Sequence, residues 1–87
     1  MKRKNEFIIR KVAQQYVIVA VGEESKRFNG MIKVNASGSF IWDLLENEID
    51  IDTIVKSILV KYDIDEKTAR ADVDRFIGVL KDAGAIE

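Results

Sequence analysis

Cysteine, histidine and proline are all absent from this 87-residue chain. Without cysteine there are neither disulfides nor thiolate metal ligands. Without histidine the commonest general base and the usual imidazole ligand of zinc are missing. No proline stiffens an interdomain linker, and no repeat or low-complexity tract divides the chain. No apolar run approaches the ~18 residues that span a membrane. No uninterrupted apolar core follows the basic start Met1-Lys2-Arg3-Lys4, so neither a signal segment nor a membrane partner is expected, and the default compartment is cytoplasmic. The net charge of −1 removes the basic footprint of a protein that binds nucleic acid through phosphates.

What is present suits one soluble domain over residues 1–87. Hydrophobic residues make up 47% of the chain and charged ones 33%. A chain of this length buries only ~60–65% of its unfolded surface, so one core and a simple architecture are expected. Residues 1–6 are expected to be a frayed, disordered end, with Lys2, Arg3 and Lys4 in water.

The strongest local pattern is the last one. Asp65 is placed to cap a helix and Gly84 to end it in the left-handed conformation. Between them Ala69, Val73, Phe76, Ile77, Leu80 and Ala83 recur at three- and four-residue steps, which puts them on one helix face. On a wheel of ~100° per residue, Phe76 and Ala69 fall near the centre of that face and Ile77 toward a margin. Beyond Ile77 lie Arg70, Lys81 and Asp74. Asp72 falls out of pattern, on the apolar side between Ala83 and Val79.

Upstream, Phe7 to Ala13 reads as a strand wet on part of one face, and Ala13-Gln14-Gln15 as a turn. Tyr16 to Val21 has no polar alternation, which predicts a central strand covered on both sides. Gly22 to Gly30 is a polar loop from which Phe28 folds back onto the core. Met31-Ile32-Lys33-Val34-Asn35 is a short strand with Ile32 and Val34 on one face and Met31 and Lys33 on the other. Its lysine suits an edge position. Asn35 then caps a helix through Phe40, Ile41, Trp42, Leu44 and Leu45, within which Gly38 costs ~1 kcal/mol relative to alanine. Asp50 caps a second helix carrying Ile51, Ile54, Val55, Ile58 and Leu59. The order is three strands and then three helices, an α+β class.

Catalytic chemistry finds little support. Glu46, Glu48, Asp50 and Asp52 surround one loop, but the ligand spacing of a calcium loop is missing, so no metal site is expected. No phosphate-binding glycine loop and no nucleophile with an adjacent base is present, so no catalytic residue and no cofactor is assigned. The last two helices allow a helix-turn-helix or winged-helix DNA-binding reading. Against it, Lys67, Arg70, Arg75 and Lys81 on the final helix are cancelled by Glu66, Asp72, Asp74 and Asp82.

In order and spacing, Val34-Asn35, Phe40-Ile41-Trp42-Asp43-Leu44-Leu45, Asp50-Ile51 with Ile54 and Val55, Tyr62-Asp63, and Asp72-Val73, Phe76-Ile77, Leu80 and Gly84 resemble the PqqD family. These are the pyrroloquinoline-quinone biosynthesis D proteins and the related recognition elements of ribosomally made, post-translationally modified peptides. The resemblance implies a winged-helix-like domain, a three-stranded antiparallel sheet followed by three helices, that is not an enzyme. It implies a stand-alone module that captures the leader of a precursor peptide and presents it to a modifying enzyme, such as a radical S-adenosylmethionine protein or a peptidase. Carried over by position, Met31, Ile32, Lys33, Val34 and Asn35 supply the strand edge on which the leader adds. Arg70, Val73, Asp74 and Ile77 supply the opposing wall. Glu46-Asn47 stands where the quinone-pathway proteins often carry Asp-Gly, and no proline leads into the third strand. These departures bear on the quinone pathway and leave the broader class in place. A homodimer paired through the same strand edge is a further reading.

Overall fold

Each helix begins where a short polar side chain replaces the hydrogen bonds that a first turn cannot make for itself. In the computed structural model, which describes residues 1–87, Asn35, Asp50 and Asp65 are the three N-caps. Their side chains accept from the backbone amides of Gly38, Thr53 and Thr68 at 2.8, 2.8 and 2.7 Å. The helices are α1 (Ala36–Leu44), α2 (Ile51–Lys61) and α3 (Glu66–Asp82). Gly84, at φ +74°, stops α3 in the left-handed conformation that side chains resist.

Three strands precede them: β1 (Phe7–Val12), β2 (Gln15–Ala20) and β3 (Met31–Val34). They form an antiparallel sheet in the order β1-β2-β3. A two-residue turn joins β1 to β2, with Val12 opposite Gln15 and Ala13 at φ +57°. The polar loop contains a short 3₁₀ turn, Gly22–Lys26, and Phe28 does return to the core, 6.0 Å from the Phe7 ring. No helix is long and apolar enough to cross a membrane.

The register sorts the strands into two faces. Phe7 and Ile9, Ile18, and Ile32 and Val34 share the face that meets the helices. There they join Ile41, Trp42, Ile54, Ile58, Val73, Ile77 and Leu80 in the core. The other face carries no helix. It holds the rows Ile8–Val19–Met31 and Arg10–Val17–Lys33. The expectation that the central strand is covered on both sides therefore holds only in part. Val17 and Ile18 are both buried, but only Ile18 belongs to the core beneath the helices.

Residues 1–6 depart from the frayed end expected of them. Backbone bonds run from the Arg3 amide to the Leu45 carbonyl and from the Lys4 amide to the Ala85 carbonyl, each at 2.9 Å, and Arg3 pairs with Ile86 as a β-bridge. The Arg3 guanidinium lies 5.4 Å from the Trp42 ring centroid and donates to the Trp42 carbonyl at 2.8 Å. Local composition made the segment look solvated. The partners of Arg3 lie 39 or more residues away in sequence, at the end of α1 and beyond α3, where no local pattern reports them.

Two stability predictions follow from these elements. Alanine in the left-handed region costs ~1–2 kcal/mol, while glycine costs ~0.5–1 kcal/mol in lost chain freedom. Ala13→Gly should therefore raise the stability by ~0.5–1 kcal/mol in urea denaturation. The second concerns acid. The Thr68 amide holds the Asp65 carboxyl below its ordinary 3.8, and the Thr53 side chain, then its amide, does the same for Asp50. With both folded values depressed, the capping contribution is complete above about pH 4 and is lost as pH falls through the folded values. The paired change Asp50→Asn and Asp65→Asn should flatten the acid limb of a Tm-against-pH curve.

Candidate peptide-binding groove

Strand β3 pairs with β2 on one side and with nothing on the other. Its outer backbone amides and carbonyls are therefore open. Beside that edge runs a groove of about 1080 Å³, and 12 of its 20 lining residues are hydrophobic. Ile32, Val34 and the start of α1 form one side, while Ala69, Val73, Phe76 and Val79 of α3 form the other. Ile41 and Ile58 lie at the floor, and Gln15 and Tyr16 bound one end. The charged groups are few, the edge residue Lys33 and the pair Asp72–Arg75 on the rim of α3 at 2.7 Å; the neutral polar ones are Gln14, Gln15, Ser37 and the Asn35 cap.

Gly38 sets how closely the two sides approach. A Cβ built there would lie 2.8 Å from Val34 Cγ1, 3.3 Å from Asn35 Oδ1 and 3.4 Å from Phe76 Cε1. The sequence showed only the cost of a glycine within a helix. The structure shows its reason: α1 starts in the angle between β3 and α3, where no side chain fits.

The structure divides the residues named in advance. Ile32, Lys33, Val34, Asn35 and Val73 all line the groove. Met31 lies on the same strand with 61% of its surface exposed, on the outer face. Arg70, Asp74 and Ile77 are not brought to the groove. Arg70 reaches away from it to Asp52 at 3.0 Å, Asp74 is exposed, and Ile77 is core with 2% of its surface exposed. The helix is rotated from the expected setting, with Val73 and Ile77 turned inward and the Asp72–Phe76–Val79 margin turned to the groove. The signal was Asp72 itself. A carboxylate among apolar positions marks where that face meets water, and here it accepts a hydrogen bond from Arg75.

Residues 15–86 match the model of the family described as coenzyme PQQ synthesis protein D, PqqD. No curated protein matches the chain. Among solved structures, the chain is similar to TbiB1 in complex with the TbiA(beta) leader peptide. The TM-score is 0.77 at 24% identity, covering 100% of this chain and 95% of that one, which establishes a shared fold.

The groove geometry makes a prediction about Gly38. A methyl group there forces Val34 and Phe76 apart, a strain of ~1–3 kcal/mol that outweighs the ~1 kcal/mol gained in helix propensity. Gly38→Ala should destabilise the protein by ~1–2 kcal/mol. Val34→Ala in the same chain should recover part of that loss, a less-than-additive pair in urea denaturation.

Proposed function

This chain belongs to the PqqD family, and from that membership we propose that it is a peptide-binding module for the leader of a ribosomally synthesised precursor peptide. The leader adds to the sheet as a fourth strand along β3 and sends alternate side chains into the groove. The observation that carries this reading is the unpaired β3 edge beside an apolar trough. Support comes from the similarity to TbiB1, a protein solved with a leader peptide.

The physical division of labour is direct. Backbone pairing orients an extended guest without reading its sequence, and the pockets for alternate side chains select it. Each net hydrogen bond contributes ~0.5–1.5 kcal/mol and each buried apolar anchor ~1.5–3 kcal/mol, against the costs of association and ordering. The anchors therefore decide affinity. Met31, Ile32, Lys33, Val34 and Asn35 form the receiving edge, with Val73, Phe76 and Val79 across from them. In this reading the module performs no catalysis and holds no metal or cofactor. It works in the cytoplasm and hands the bound leader to a modifying enzyme, such as a radical S-adenosylmethionine protein or a peptidase.

Val79 gives the cleanest test, because it lines the groove yet is 42% exposed and bears little on the fold. Titration with a leader peptide that the parent chain binds should show Val79→Lys binding about tenfold or more weakly, with its circular dichroism unchanged. Val60→Lys, at a 90% exposed position of α2, should bind as the parent does. Equal affinity of a folded Val79→Lys variant would remove the groove from the reading.

A further inference from the structure

The three strands carry Arg10, Lys11 and Lys33 and not one carboxylate. None of the three basic groups has an ion-pair partner; Lys11 lies over the Tyr16 ring, 5.9 Å from its centroid. Elsewhere beside the groove charge is balanced, since Arg75 is engaged by Asp72. Lys33 is thus the uncompensated charge at the receiving edge, and the register fixes what stands next to it.

A guest strand on β3 extends each cross-strand row by one residue. Residues directly opposite one another on the same face have Cβ atoms ~4.5–5.5 Å apart, close enough for opposite charges to favour the pair and like charges to oppose it. On the outer face, one row is Arg10–Val17–Lys33 and the next is Ile8–Val19–Met31. Val17, between the two basic residues of its row, is only 4% exposed. The next residue in that row meets the Lys33 ammonium. The next residue in the other row meets the thioether of Met31, which is 61% exposed. Guest residues between and beside these two point inward, toward Ile32, Val34 and the groove.

Resting on the leader-binding reading above, we infer that the guest recognised here carries an acidic residue opposite Lys33, flanked on both sides by apolar residues that enter the groove. Opposite Met31, two positions from the acid, stands a further apolar residue. Because the acid lies between two inward-facing residues, the rule reads the same whether the guest runs parallel or antiparallel to β3. The same lysine disfavours the pairing of two copies in which Lys33 would stand opposite Lys33, so the charge that selects an acidic guest also selects against a second copy of the chain in that register.

The test uses three fluorescein-labelled peptides with the core Val-Ile-X-Ile-Val between Ser-Thr ends, where X is Glu, Gln or Lys. Anisotropy titration of the whole chain at low salt should rank them Glu, Gln, Lys, with about two- to fivefold between neighbours. The spread should narrow at high salt. The Lys33→Glu variant, altered at an exposed position, should invert the ranking. If all three peptides bind equally, or if the ranking survives Lys33→Glu, the acidic rule is overturned while the groove stands. If none of the three binds at millimolar concentration, the strand-addition reading falls with it.

Discussion

The structure depends on the passage from β3 into α1 within five residues, Val34 to Gly38. Val34 ends the strand facing inward, Asn35 turns the chain and caps the helix, and Gly38 lets the first helical turn settle between Val34 and Phe76. A longer connection would let α1 drift and the trough close by collapse, since apolar walls attract across any gap that water can leave. The short junction sets the first turn of α1 against the side chains of Val34 and Phe76, between β3 and α3. Buried Ile41 and Ile58 then make the floor, and buried Val73 the inner part of the α3 wall.

Much of this was readable from residue order. Caps at Asn35, Asp50 and Asp65, the alternation Ile32/Val34 against Met31/Lys33, and the Phe28 return are local signals, and the structure follows them. The rotation of α3 was not readable. A helical wheel gives the width of an apolar face but not its direction, because core and groove both draw on apolar residues. Ala69 and Val73 serve both, whereas Ile77 serves the core alone and Val79 the groove alone. The tethering of residues 1–6 was hidden for a different reason: Arg3 is basic by composition, but it is held by the Trp42 ring and carbonyl. Gly38 announced a cost, while its benefit lay with Phe76, 38 residues further along the chain.

Two edges of the sheet are open, β1 and β3, and the physics distinguishes them. An exposed edge invites any extended chain, and proteins blunt that hazard by shortness and by charge. β3 has four residues with a lysine among them; β1 has six and carries Arg10 and Lys11 side by side. The large apolar groove lies against β3, so there backbone pairing and apolar anchors could act on the same guest. At β1 a guest would find hydrogen-bonding groups and a much smaller hollow, about 280 Å³, shared by Phe7, Ile9, Arg3 and Trp42.

The form of the guest follows from the same pairing argument. A helix laid in the trough could bury an apolar stripe, but its backbone bonds are internal, and the β3 edge would be left to whatever water the guest did not displace. Partly desolvated amides without partners cost ~1–3 kcal/mol each. An extended guest removes that cost at every second residue and spaces its inward side chains as Ile32 and Val34 are spaced, two residues apart. The trough by itself would accept either shape. On the proposed reading, the open strand beside it favours an extended chain, and Lys33 on that strand favours one with an acidic residue.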